Sequence, residues 1–515
     1  MGRLATFLQD QRKAFLKDLE DNTAQGWVVA MGNEAGGTNL LTYLPSVLQL
    51  GVYYKSTTDL DSLASSIAYS TLSTTLSPGT RSLPLLLTPK KYMSLRPENI
   101  LTLNTALIPT QQPTNGEIFL HLEDLPVDPS ELAGKGIKFA LVDHNTLLPP
   151  FQSSTLPTED PVVAIIDHHA DDGNHINASP RLIQIPTGST TSLVTMYFKD
   201  AWQRAIQSGG EASTPPSELS TLLLGGILID TGALKAGPNV KTTDTDRAAA
   251  EFVYRISKLG AQTTDTGSAG ELMTLASLQA GRIAPELTEF ANKLFEAKND
   301  VSELSTHELL LRDYKEYTMH TASERDTMNV GLSTVPMGLS IWLSRNIQAK
   351  GIVPGWQPFV SAMDEWMRER NLDIAGVLTS FNTLPKVVGE KGKHKRELVF
   401  IVRSSQPVTE SSITRAEEIA DALTAGINGA GPILDAQVWR PHKPFHKDEE
   451  LVQGLEDELM DVQEARKAGR FGCVWRQGNA ASTRKQVAPL VVSLPCYSDI
   501  SRAVNKGAKK GLLLL

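Results

Sequence analysis

A chain of 515 residues is too long for one compact core, so two or more domains are expected. Its composition, 41% hydrophobic and 21% charged, is that of an ordinary globular protein, and a formal net charge of -9 argues against a nonspecific nucleic-acid binder. Two cysteines, Cys473 and Cys496, cannot build a disulfide framework and fit a reducing, cytoplasmic setting.

Residues 1–20 are charged throughout and read as an amphipathic helix, not a secretory signal. Their Met1-Gly2-Arg3-Leu4-Ala5-Thr6 start fits the loose N-myristoylation pattern, which so short a motif often matches by accident. The longest apolar stretch, residues 40–54, is broken by Pro45 and Gln49 and is shorter than a membrane span, so no membrane association is expected. Residues 27–31, 83–87, 139–142 and 162–166 are short continuous apolar runs, which suit strands buried on both faces of a parallel sheet. Pro84 fits such a strand only near its start. Residues 60–75 carry Leu60, Leu63, Ile67 and Ala68 on one helical face. This strand–helix alternation implies a doubly wound, mainly parallel α/β domain, whose ligands gather at the carboxyl ends of the strands. Residues 260–270 read as a linker and 285–298 as a helix, which sets domains at 1–286 and 287–515. The second, smaller domain reads as α+β, with strands at 330–335, 398–402 and 486–492, a helix at 413–423, and the basic tract 391–396 as a hairpin loop.

Metal-capable side chains follow several of the apolar runs. The first ends in Gly32-Asn33-Glu34, the third in Asp143-His144-Asn145 and the fourth in Asp167-His168-His169. Residues 226–229 place Asp230 behind a further apolar run, read as another site on the same sheet edge. Asp59 and Asp61 open the first helix, where acidic groups are electrostatically favoured. Singly, each is an ordinary cap or turn residue. Together they are costly through mutual repulsion unless cations neutralise them. Oxygen ligands with one imidazole suit Mg²⁺ or Mn²⁺ rather than a structural zinc.

The ordered series Asn33-Glu34, Asp59-Leu60-Asp61-Ser62, Val142-Asp143-His144-Asn145, Asp167-His168-His169 and Ile229-Asp230-Thr231 resembles the motifs of the DHH phosphoesterase superfamily. Gly188-Ser189-Thr190-Thr191-Ser192 resembles a further element of it. Arg312-Asp313-Tyr314-Lys315 and Thr483-Arg484-Lys485-Gln486 resemble the two phosphate-binding signatures of the DHHA2 domain. Asn33, where family II pyrophosphatases carry His, is similar to the eukaryotic exopolyphosphatase and prune branch. The resemblance implies two divalent ions, Mn²⁺ or Mg²⁺. Asp59 would bind one; Asp61, His168 and Asp230 would hold the other; Asp143 would bridge them and Asn33 would be a weak ligand. Asp167 would orient an imidazole and His169 would face the substrate, with Asp143, His169 and Asp167 as the catalytic set. Lys315, Arg484 and Lys485 would grip phosphates, the active site lying in a cleft between the domains. The implied activity is removal of terminal phosphate from inorganic polyphosphate, by a monomer or weak oligomer with no nucleic-acid partner. Alternatives are a prune-like phosphodiesterase, a hydrolase of short-chain or nucleoside polyphosphates, and an inactive binding protein. The basic tract 391–396 could help hold long polyphosphate.

One departure stands out. The family pattern Asn-Glu-x-x-Asp-x-Asp is interrupted by residues 37–58, whose removal gives Asn-Glu-Ala-Gly-Asp-Leu-Asp. The stretch is apolar for a loop and reads as inserted, a translated short intron or a gene-model error; if retained, it threatens the metal site.

Overall fold

The structure, a computed structural model, describes residues 2–33, 57–108, 117–153, 159–210, 213–238, 240–261, 273–320, 327–347, 351–383, 392–440 and 469–492. The chain divides into two compact units, Met1–Asp300 and Val301–Leu515.

The first unit runs α1 (Arg3–Glu20), β1 (Trp27–Met31), α2 (Leu60–Leu76), β2 (Arg81–Leu86), α3 (Pro97–Thr105), β3 (Leu120–His121), β4 (Lys138–Val142), β5 (Val162–Asp167), β6 (Arg181–Ile183), α4 (Thr190–Ser208), α5 (Ser217–Thr231) and α6 (Asp244–Arg255), then a helix at Pro285–Asn299. The sheet order is β3-β2-β1-β4-β5-β6, and every pairing is parallel. The chain winds outward from β1 through β2 to β3, then crosses to the other side of β1 to lay down β4. That reversal leaves a crevice beyond the carboxyl ends of β1 and β4, where doubly wound sheets take their ligands.

The apolar runs alternate between two cores. Ala30, Ala140, Val142, Ala164 and Ile166 face one side, packed with residues of α2, α4 and α5. Trp27, Val29, Met31, Phe139, Leu141 and Ile165 face the other, with Phe15 and Leu19 of α1. Small residues on the first face let the helices lie close, and burial on both sides explains the absence of a polar alternation. Pro84 sits in mid-strand, not near the start. It is tolerated because β2 pairs β1 along its length while β3 reaches only Leu85 and Leu86, so a ladder is missing on one side of Pro84.

The structure corrects further expectations. Asp230 lies not on the sheet edge but in the last turn of α5. That helix is buried nearly all round, and so lacks the polar stripe that would have marked its period. Residues 486–492 form not a strand but part of a helix, Arg484–Val492. Its start is held by side chains: the Thr483 N–H donates to Gln486 Oε1 at 2.8 Å, and the Lys485 N–H donates to Thr483 Oγ1 at 3.3 Å. The Thr-x-x-Gln spacing that marks a helix start was present in the sequence.

The second unit holds a seven-stranded sheet in the order β12-β13-β11-β9-β8-β7, with β10 paired to β11. Its strands are β7 (Tyr314–His320), β8 (Thr327–Val335), β9 (Ile374–Thr379), β10 (Phe381–Asn382), β11 (His394–Arg403), β12 (Ala436–Val438) and β13 (Arg470–Gln477). Among the described residues, only the β8–β9 pairing is parallel. The helices Glu410–Gly429 and Arg484–Val492 supply Leu423 and Val487 to the core on one face. The expected loop 391–396 is partly strand, since His394 and Lys395 pair with Asn382 and Phe381; Lys391 lies outside the described residues. The segment 37–58 also lies outside them except Thr57 and Thr58. Both of these are buried, and the Thr58 N–H donates to Thr88 Oγ1 at 2.8 Å.

Close helix packing in the first unit is testable at Gly226, where an added Cβ would stand 2.5 Å from Thr191 Oγ1. Gly226→Ala is expected to remove about 1–3 kcal/mol of stability, as overpacking does. Urea unfolding should show a lower midpoint with an unchanged slope; a wild-type midpoint would mean that α5 can shift freely against α4.

Candidate metal centre

Asp143 leaves β4 with φ +66°, a left-handed conformation that a short polar side chain tolerates better than most. This turn aims its carboxylate at α2 and α4. Ser62 Oγ donates to Asp143 Oδ2 at 2.5 Å, and Thr190 Oγ1 donates to Oδ1 at 3.1 Å. The Ser62 hydroxyl also accepts the Asn33 N–H at 3.0 Å, so one side chain ties the ends of β1 and β4 to the start of α2. The approach needs glycine at position 32, where a Cβ would lie 2.6 Å from that of Ser62. Asn33 and Asp59-Leu60-Asp61-Ser62 are therefore neighbours in space despite the residues between them. Asp59 caps α2, accepting the Ser62 N–H at 3.0 Å.

Asp61 is 1% exposed and sits on the N-terminus of α4. It accepts the N–H groups of Thr190 and Thr191, both at 2.8 Å, the Ser189 hydroxyl at 2.6 Å and the Thr191 hydroxyl. Orphan amides at a helix start, with the positive end of its dipole, suit a carboxylate.

The histidine pair follows β5. Asp167 is fully buried and forms a tight turn, accepting the N–H groups of His168 at 2.8 Å and His169 at 3.1 Å. Its Oδ1 also meets His169 Nδ1 at 2.9 Å, while Asn145 Nδ2 donates to Oδ2 at 2.6 Å. Burial alone would raise the Asp167 carboxyl, but its bond to His169 and that ring's charge hold it below the ordinary range. His168 Nδ1 lies 3.1 Å from the Thr187 carbonyl, which fixes the proton on Nδ1 and turns Nε2 to the carboxylates. Nε2 is 3.2 Å from Asp143 Oδ1 and 4.0 Å from Asp61 Oδ2.

Among the described residues, two sets of ligand atoms lie within 4.8 Å of one another: Asp143, His168 and His169, and Asp61, His168 and Asp230. The electrostatics show what such crowding costs. Burial first, then the Asp143 charge, pushes Asp61 up to about 6. Burial, then Asp61 and Asp59, pushes Asp230 up to about 7. Asp143 is also raised, chiefly by burial. Burial would lower His168, yet its bond to Asp143 and the nearby carboxylates lift it to about 10. Protons thus stand in for missing positive charge, and the buried oxygen-rich set with one oriented imidazole fits a divalent cation.

The structure brings Asp61, Asp143, His168, His169 and Asp230 together. Asp59 lies near enough to act on three of them by charge but belongs to neither set, and Asn33 enters through its backbone. In the second unit Lys315, on β7, is brought down to about 8 by burial and then by Arg484, with a further contribution from Lys485, so the three cations share a patch. Arg484 is already engaged, donating to the Asp313 carbonyl at 3.0 Å and its carboxylate at 2.9 Å. Ser62, Asn145, Thr187 and Thr190 hold these groups but were given no role by sequence reasoning. Only their positions inside quoted motifs marked the first two and Thr190.

The DHH family, N-terminal domain, matches residues 49–227, and the DHHA2 domain matches residues 292–494. A Schizosaccharomyces pombe protein named "Putative exopolyphosphatase" is 28% identical over 84% of this chain and 88% of its own. A Streptococcus suis protein named "Probable manganese-dependent inorganic pyrophosphatase" is 23% identical over 56% of this chain and 76% of its own. The solved structure titled as a Methanococcus jannaschii putative family II inorganic pyrophosphatase covers 69% of this chain and 86% of that one, at 20% identity and a TM-score of 0.37.

The raised carboxyl of Asp230 predicts a pH signature. Unfolded, it loses its proton near pH 4; folded, it keeps it to about 7. The folded state therefore binds more protons across that window, and Asp230 lowers stability as pH rises through it. In chelator, Asp230→Asn should melt like wild type at pH 4 and progressively above it from pH 5 to 8. A gap independent of pH would show that Asp230 does not carry this strain.

Proposed function

From its place in the DHH phosphoesterase superfamily, with a DHHA2 domain behind the DHH domain, we propose that this chain is a metal-dependent exopolyphosphatase. It removes terminal phosphate from inorganic polyphosphate and releases orthophosphate. The observation that carries the reading is the convergence of Asp61, Asp143 and Asp230 with His168, a buried acidic set that only added positive charge makes tolerable. The relatives named for exopolyphosphatase and pyrophosphatase activity support a phosphoanhydride as substrate.

In this reading Asp61, His168 and Asp230 would hold one divalent ion, Mn²⁺ or Mg²⁺. Asp59 would hold a second, with Asp143 shared between them and Asn33 as a weak ligand. Bound there, such ions would supply charge withdrawal from phosphoryl oxygens and an activated water near neutral pH. The chain's own groups supply the rest. Asp167 fixes the Nδ1–H of His169, so the half-exposed ring presents its other edge to substrate and can pass a proton to a departing phosphate oxygen. Lys315, Arg484 and Lys485 neutralise and orient phosphates. A net charge of -9 gives the whole molecule no general attraction for a polyanion, so recognition rests on these local groups.

A second reading, hydrolysis of pyrophosphate and other short chains, is favoured by the match to the bacterial pyrophosphatase. Incubation of chelator-stripped protein with long polyphosphate and either ion, with products sized on a gel, separates the two. Progressive shortening with orthophosphate release supports the first; turnover confined to the shortest chains supports the second; mid-chain fragments would refute exo-cleavage. Asp143→Asn should drop turnover to background while the protein stays folded. Lys315→Ala should raise KM roughly 10–100-fold, the worth of one charged hydrogen bond, with kcat changed far less. A Lys315→Ala enzyme with normal KM would remove that residue from the phosphate site.

A further inference from the structure

Asp246 is fully buried, belongs to neither ligand set, and is nonetheless held by four donors. Its Oδ2 accepts the Gly188 N–H at 3.0 Å, the Thr243 N–H at 2.7 Å and the Thr243 hydroxyl at 2.7 Å. Its Oδ1 accepts the Ser189 N–H at 3.2 Å. Two of those donors close the N-terminus of its own helix, α6. The other two belong to the segment that leads into α4. A carboxylate so bound, away from water, has one geometry open to it.

That segment is where the ligands are aimed. Thr187 takes the His168 Nδ1 proton at 3.1 Å, and Ser189, Thr190 and Thr191 hold both oxygens of Asp61. Gly188, between them, has no room for a side chain: a Cβ would lie 2.9 Å from Asp246 Oδ2 and 2.8 Å from Thr231 Cγ2. The loop before α6 reaches the third ligand's neighbour as well, since Thr242 Oγ1 donates to the Thr231 carbonyl at 2.9 Å. We infer that Asp246 is a positioning residue for the metal centre: by clamping Gly188 and Ser189 it sets the aim of Asp61 and His168, and so the affinity of the ion that these two share with Asp230. The inference rests on the metal-dependent reading above.

The test is Mn²⁺ binding to the stripped, full-length protein, followed by calorimetry and by loss of the free-ion spin-resonance signal. In Asp246→Asn an amide can still meet the donors on one atom but must set an N–H against Ser189 or Gly188. Outer partners of metal ligands are typically worth 10–100-fold in affinity, and a weakening of that size at one site is expected, with kcat recovered at saturating Mn²⁺. Thr243→Val separates aim from mere support, since it removes a donor from the same cap without touching residues 187–189. It should lower the melting temperature and leave Mn²⁺ affinity within about twofold of wild type. Wild-type affinity in Asp246→Asn overturns the inference, and so does an equal loss in Thr243→Val. Should Asp246→Asn not fold, Gly188→Ala, which displaces the loop and keeps the carboxylate, must show the same weakening or the inference falls. Wild-type protein that binds no Mn²⁺ would instead sink the proposed function.

Discussion

Repulsion among buried carboxylates is the constraint around which the first unit is organised. Asp61 and Asp143 are almost without solvent, and Asp230 at the end of α5 joins them. No core of this size places such groups together for stability, because each ionised partner raises the cost of the next. Their proton affinities show the strain, with two carboxyls pushed into the range of about 6 to 7 and His168 up to about 10. A fold that accepts this arrangement stores a demand for positive charge, and a divalent cation meets it more compactly than protons.

The demand is kept in place by neutral groups. Hydroxyls of Ser62, Ser189 and Thr190 and the first amides of α4 take the acidic oxygens, so the carboxylates are oriented before any ion arrives. Preorganisation of this kind keeps ligand atoms from pairing off with lysine or arginine, which would satisfy the charge and close the site. The position is set by topology. β1 and β4 are adjacent in the sheet but wind in opposite directions from there, and the gap beyond their ends admits helix starts from both sides.

Much of this was legible in the sequence, for reasons that differ from residue to residue. Continuous apolar runs identified β1, β4 and β5 because strands covered on both faces show no alternation, and the residues just after them held Asn33, Asp143 and the histidine pair. The same lack of a polar face concealed α5, so Asp230 was assigned to a sheet edge although its role as a candidate ligand did not depend on that. In the second unit, Thr483-Arg484-Lys485-Gln486 carries a helix start, but the apolar Val487, Leu490, Val491 and Val492 that follow suit a strand as well. Asp246 left no mark at all: an aspartate three residues after a threonine is a common cap, and only the fold shows that it reaches back to Gly188.

The central claim is that Asp61, Asp143, His168 and Asp230 are the inner ligands of divalent ions. Anomalous diffraction from crystals grown with Mn²⁺ locates the metal directly and without reference to activity. The account predicts manganese peaks within bonding distance of all four side chains, with Nε2 of His168 as the nitrogen ligand. Peaks elsewhere, or the four side chains with no manganese among them, would contradict it.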